Sequence, residues 1–233
     1  MIADNLQRIH DRMAKACDKA GRSPNSVALL AVSKTFGADA VVQAHAAGQM
    51  AFGENYIQEA VEKIAALSPR LLAHLPMQWH CIGPIQSNKT RLVAEQFDWA
   101  HGVDRLKTAE RLSAQRPPGL PPLNLCLQVN IDGGPTKSGV APAEALALAQ
   151  AVAALPRLRL RGLMTIPDPA PDFEAARAVH ESARALFDLL NAAGLGLDTL
   201  SMGMSDDLEA AVAAGSTMVR VGSAIFGTRA VKP

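Results

Sequence analysis

The sequence predicts an α/β protein built as one (β/α)8 TIM barrel with an extra N-terminal helix. Three observations predict it: eight short apolar runs recur along the chain, longer amphipathic stretches separate most of them, and 233 residues are enough for a barrel of this kind. An open doubly wound sheet fits less well, because it usually has fewer strands and a glycine-rich first turn, and no G-x-G-x-x-G follows the first run.

Over residues 2–20, Ile2, Leu6, Ile9, Met13, Ala16 and Cys17 recur three or four apart with charges between them, which predicts a helix ending at Gly21. Strands are expected at 27–34, 50–54, 77–83, 97–103, 123–131, 158–165, 199–202 and 218–226. Ala-rich stretches at 143–154 and 174–193 read as helices, and Ser205-Asp206-Asp207 reads as the start of another over 208–214. The proline-rich segment 117–122 is a stiff connection into the fifth strand, since proline ends the helix before it. With no linker or low-complexity segment, residues 1–233 are expected to form one domain, with the barrel over 27–227.

Lys plus Arg number 23 against 22 Asp plus Glu, so no overall field favours nucleic acid, an anionic membrane or acidic partners. Charge, Pro or Gly breaks the apolar stretches before the roughly 18 residues a membrane span needs, and the opening is amphipathic rather than a signal peptide. A cytoplasmic monomer is expected. Cys17, Cys81 and Cys126 are odd in number and widely spaced, which argues for buried free thiols over a disulfide framework or a zinc site.

In this barrel type chemistry sits at the C-terminal ends of the strands. The first strand runs into Ser33-Lys34-Thr35, placing a lysine at the barrel mouth. Desolvation there would leave more free amine for attack on an aldehyde; the alternative is a solvated strand-end lysine. On the eighth strand Arg220 and Gly222 share a face by period-two alternation, and Gly222-Ser223 at its end can bring backbone N–H groups to a phosphate. The seventh strand runs through Ser201-Met202-Gly203-Met204-Ser205 into a helix start that favours an anion beside the Ser205 hydroxyl. The loops after strands seven and eight form the usual phosphate site of such barrels. Taken singly, Ser205 also reads as an N-cap, Gly222 as a packing glycine and Arg220 as a buried ion-pair partner. Asn55 can hydrogen-bond a ring hydroxyl, and His80 reads as a hydrogen-bonded interior histidine because no second His or carboxylate stands at metal-ligand spacing. The stretch 133–139 imitates a P-loop but fails it, with Thr136 where glycine belongs and Pro135 lacking an N–H; Lys137 can still line the mouth.

The segments Ala31-Val32-Ser33-Lys34-Thr35, Phe52-Gly53-Glu54-Asn55-Tyr56, the run 79–89, Lys137-Ser138-Gly139, Gly162-Leu163-Met164, Ser201-Met202-Gly203-Met204-Ser205-Asp206-Asp207 and the run 220–227 together resemble the pyridoxal phosphate homeostasis protein family over nearly the whole chain. That family resembles the barrel domain of fold-type III enzymes such as alanine racemase. The resemblance implies that the cofactor is pyridoxal 5′-phosphate and that Lys34 is the internal Schiff-base lysine. It further implies that Arg220 faces the pyridine nitrogen and that Ser205, Gly222 and Ser223 hold the phosphate, with Asn55 and Ser201 as further contacts. Ser223 stands where family members often carry Thr, and it retains the hydroxyl. The implied function is to bind, store and deliver the cofactor, with pyridoxal phosphate-dependent apo-enzymes as partners and vitamin B6, amino-acid and keto-acid pools as the setting.

Two alternatives stay open: an amino-acid racemase, and a metal or phosphate-sugar barrel enzyme using the same anion site. The last lacks carboxylate or histidine clusters at strand ends. Racemisation needs an acid-base group on each face of the α-carbon, and in the racemases the second is a tyrosine from an additional domain. This chain stops at Pro233 soon after Gly227, and its one tyrosine, Tyr56, follows the second strand, so carriage is expected over turnover.

Overall fold

The computed structural model describes residues 1–67, 77–134 and 137–227. Pro135 and Thr136 of the glycine-rich stretch, and the part of the expected 1–233 unit beyond Gly227, lie outside those residues.

Eight parallel strands close into a barrel in sequence order: β1 (Ala28–Val32), β2 (Ala51–Glu54), β3 (Gln78–Cys81), β4 (Trp99–Val103), β5 (Leu123–Val129), β6 (Leu158–Thr165), β7 (Thr199–Ser201) and β8 (Met218–Val221). β8 returns to β1 with Leu30 opposite Arg220 and Ala31 opposite Val221, which closes the ring. α1 (Ile2–Lys19) precedes the barrel; α2 (Ala38–Ala46), α3 (Ile57–Leu67), α4 (Thr90–Gln96), α5 (Leu106–Gln115), α6 (Ala145–Ala153), α7 (Phe173–Ala192), α8 (Leu208–Ala213) and α9 (Ser223–Phe226) follow successive strands.

Strand alternation sorts the side chains into two cores. Leu29 and Ala31 of β1, with Val219 and Val221 of β8, belong to the large core between sheet and helices. Leu30, Val32 and Met218, of the opposite parity, join Ile82 in a small separate cluster inside the barrel. Arg220 shares the parity of Met218, so alternation turns it inward toward the barrel mouth. The α1 stripe of Leu6, Ile9, Met13, Ala16 and Cys17 is buried as expected. Asn5 Nδ2 ties the helix to the Ile225 carbonyl at 2.7 Å, and Arg12 pairs with Glu209 of α8 at 2.5 Å. All three cysteines are free and buried.

The eighth strand is shorter than the expected 218–226. It stops at Val221, where Gly222 turns the backbone (φ −119°, ψ −80°), and Ile225 N and Phe226 N both donate to the Gly222 carbonyl to make the single turn α9. A short apolar run reads alike as strand or buried helical turn, which is why its period did not separate the two. β5 likewise ends at Val129 rather than at 131, and α8 begins at Leu208 with Asp207, not Ser205, at its N-cap. No helix among the described residues is long and apolar enough to cross a membrane.

Candidate functional site

The strand ends surround a cavity of about 460 Å³ lined by Lys34, Asn55, Ser205, Asp206, Arg220, Gly222 and Ser223, with Val32, Ile82, Ile166 and Met204 among its apolar walls. Six of the seven residues singled out from the sequence therefore meet on one surface, although the chain separates the first from the last by most of the barrel.

Lys34 stands two residues past the end of β1 and is half-buried at the mouth. Thr35 after it has φ 68°, a left-handed conformation costly for a β-branched residue. Asn55 follows β2, and its buried Oδ1 has no hydrogen-bond partner among the described residues. A buried acceptor without a donor is costly, so this oxygen is suited to a ligand donor.

Arg220 is 4% exposed. Its Nη1 donates to the Ser201 carbonyl and Ser201 Oγ, each at 2.8 Å, and its Nη2 donates to the Thr165 carbonyl at 2.7 Å. A guanidinium has five N–H donors, so others are left for the cavity it lines. Burial pulls its pKa down to about 10, against the opposing field of Asp207, and it remains a cation at neutral pH. Among the described residues no carboxylate lies at ion-pair distance from it. Ser201, grouped with the cofactor contacts by the family resemblance, stands behind Arg220: it is fully buried, absent from the cavity wall, and its hydroxyl oxygen accepts from the guanidinium.

The β7–α8 loop turns at Gly203, where φ is 95° and an added Cβ would lie 2.4 Å from the Ala211 Cβ, so only glycine fits. Asp207 then pins the loop, accepting from Met204 N at 2.6 Å and meeting His180 Nε2 at 2.9 Å. Partial burial works against the Asp207 carboxylate, yet these two bonds, aided by the His180 and Arg220 fields, hold it below its ordinary value. Ser205 is half-buried on this loop and makes no cap bond to α8.

Gly222 lines the cavity and also packs closely, the second of the two roles its sequence position offered. A Cβ there would sit 3.1 Å from the Val32 carbonyl and 3.4 Å from the Val32 Cβ, so the missing side chain admits β1 beside β8 and brings Lys34 next to the β8 end. Ser223 and Ala224 N–H groups begin α9, where no intrahelical acceptor exists for them.

His80 is a fully buried interior histidine, as expected, but it has a partner the sequence reading missed: its Nδ1 lies 3.0 Å from His101 Nε2 on the neighbouring strand. It also stacks on Trp99 with ring centroids 5.1 Å apart. Burial pulls His80 down to about 3, and burial, His80 and Arg220 take His101 well below 6.5, so both rings are neutral at pH 7. The period-two pattern Trp99-Ala100-His101 was the available signal. No cluster of three metal-ligating side chains occurs among the described residues. Lys137 pairs with Asp132 at 2.5 Å and Asp168 at 2.9 Å and is not on the cavity wall, and Tyr56 is 54% exposed and also off the wall.

Residues 5–230 match the family model of the alanine racemase N-terminal domain. The pyridoxal phosphate homeostasis protein of Pseudomonas aeruginosa is 59% identical over 228 residues, covering 98% of this chain and 96% of the relative. That of Escherichia coli K12 is 53% identical, covering 98% and 97%. The structure of PipY from Synechococcus elongatus with pyridoxal phosphate bound superposes with a TM-score of 0.83 at 37% identity, covering 97% of this chain and all of the other.

Proposed function

The chain belongs to the pyridoxal phosphate homeostasis protein family, and we propose that it binds pyridoxal 5′-phosphate in the strand-end cavity and carries it through Lys34 as a buffered supply. One observation carries this reading: a half-buried lysine, a buried guanidinium with donors to spare and an orphaned amide oxygen converge on one cavity of about 460 Å³. The residues fit the group. The cofactor supplies an aldehyde, a pyridine ring with a hydroxyl, and a phosphate.

In this reading Lys34 is the lysine that would hold the cofactor as a Schiff base, its amine facing an aldehyde that the cofactor would supply. Asn55 Oδ1 accepts from the ring hydroxyl, and Arg220 donates to the ring nitrogen. Ser205, Ser223 and the backbone N–H groups after Gly222 hold the phosphate. Ser201 acts through Arg220. An arginine does not give up its proton, so a ring nitrogen held by Arg220 would stay unprotonated and the cofactor would be a weak electron sink, which suits carriage more than turnover. The protein acts as a single-domain cytoplasmic monomer that hands the cofactor to apo-enzymes and so steadies vitamin B6 and amino-acid pools.

The test is an absorption spectrum of protein loaded with pyridoxal phosphate, before and after borohydride, followed by mapping of the modified peptide. The label is expected on Lys34, and Lys34→Ala should abolish the reducible chromophore. A label found only on Lys137 or Lys89 would overturn the assignment.

A further inference from the structure

Beneath Lys34 lies a group of buried charges that the cavity itself does not use. The Glu54 side chain at the end of β2 is 0% exposed and the Lys63 side chain in α3 is 4% exposed, with Lys63 Nζ 2.6 Å from Glu54 Oε1. The same Glu54 oxygen accepts from Ser33 Oγ at 2.6 Å. Lys63 also donates to the Ser33 carbonyl at 2.9 Å and to Glu59 Oε1 at 3.3 Å. Glu59 Oε1 in turn accepts the Thr35 N–H at 2.8 Å. The network thus grips Ser33 by side chain and carbonyl, and Thr35 by its amide, on either side of Lys34.

Stability alone does not account for this arrangement. Taking two charges out of water costs more than well-packed apolar residues of similar size would, so a buried ion pair is weak evidence for a stabilising role. The backbone it grips is also in an unfavourable state: Thr35 has φ 68°. A β-branched residue remains there only when its surroundings over-determine it, and such strain gathers at binding sites. Hydrogen bonds on both neighbours supply that constraint. They act on the chain that carries the lysine, whose side chain lines the cavity.

We propose that Glu54, Lys63 and Glu59 form a clamp of positioning residues that fixes the Lys34 backbone so that its amine is presented to an aldehyde in the cavity. The proposal rests on the reading of Lys34 as the linking residue. It assigns the three residues to the linkage and not to general affinity, because none of them lines the cavity. Losing the clamp should therefore weaken a ligand that links to Lys34 and spare one of the same shape that cannot.

The experiment compares pyridoxal 5′-phosphate with pyridoxine 5′-phosphate, whose alcohol replaces the aldehyde, by equilibrium dialysis. Glu59→Ala is the primary variant, since that side chain is 38% exposed and the fold should tolerate its loss. Glu54→Gln is the second, and thermal melting checks that each folds. Glu59→Ala should weaken pyridoxal phosphate by at least about tenfold, because small displacements of a reacting group are costly, while pyridoxine phosphate changes by less than about twofold. Glu59→Gln, which keeps an acceptor for the Thr35 N–H, should recover most of the loss. In a Lys34→Ala background, Glu59→Ala should affect neither ligand. Equal losses for both ligands, a loss that persists without Lys34, or no loss at all would overturn the clamp. If Lys34→Ala by itself leaves the preference for the aldehyde ligand intact, the linking role of Lys34 fails first, and the two failures are told apart by that control.

Discussion

Replacing Arg220 with methionine tests the deepest part of the site. The substitution removes three donated hydrogen bonds and strands the Thr165 carbonyl, the Ser201 carbonyl and Ser201 Oγ inside the barrel. At about 1–3 kcal/mol for each buried group left unpaired, the gross loss is about 6 kcal/mol. Against it stands relief from burying a cation. Burial lowers the Arg220 pKa from 12.5 to about 10, and at 1.36 kcal/mol per unit that relief is about 3 kcal/mol. The net loss is then about 3 kcal/mol, which for a chain of this size lowers Tm by about 6–12 °C. Circular dichroism melts of the cofactor-free protein read this directly. Arg220→Lys should fall between wild type and Arg220→Met, because an ammonium keeps the charge but cannot span both strand ends with a rigid fork. In the loaded protein the absorption maximum should also move, because the proposed site sets Arg220 against the ring nitrogen. An Arg220→Met protein that melts within about 2 °C of wild type and shows the same spectrum would refute both the hydrogen-bond accounting and the placement of the ring.

Gly203→Ala should destabilise the protein by about 2 kcal/mol or more and weaken cofactor retention, because its Cβ would sit 2.4 Å from the Ala211 Cβ at φ 95°; a melt within error of wild type would show that the loop has room. Asn55→Ala should leave Tm nearly unchanged yet lower cofactor affinity severalfold, since its Oδ1 has no protein partner to lose; dialysis showing unchanged affinity would remove it from the site. Acid should destabilise the fold through the histidine pair. Unfolded His80 takes up a proton near 6.5 and the folded ring only near 3, so between those values the unfolded state binds more protons and stability falls as pH falls. The slope is at most about 1.4 kcal/mol per pH unit for one proton, and urea melts of His80→Phe should show it reduced; an unchanged slope would place the acid sensitivity elsewhere.

Much of this protein is legible in one dimension. The α1 stripe, the alternation of short strands with helices, and the polar residues that interrupt each strand end depend on local periods and local turn chemistry, so Lys34, Asn55, Ser205, Arg220, Gly222 and Ser223 could be found before any coordinate was known. Where local signals were degenerate the reading slipped: Ser223–Phe226 is apolar enough for a strand and folds as a helical turn.

What the chain alone determined, then, is which residues stand at strand ends and on which face, because alternation and capping act over a few residues. Tertiary structure decided who meets whom. The closure of β8 on β1 makes Gly222 a neighbour of Val32, the β3–β4 register sets His80 opposite Trp99 and within reach of His101, and the packing of α3 against the β1 and β2 ends carries Lys63 to Glu54 and Ser33. Ser201, which the family resemblance grouped with the cofactor contacts, is reached by Arg220 across two neighbouring strands. Most of those contacts join residues about twenty or more positions apart, up to the 190 between Val32 and Gly222, and no local period encodes the distance between them; they exist only once the ring of strands has shut.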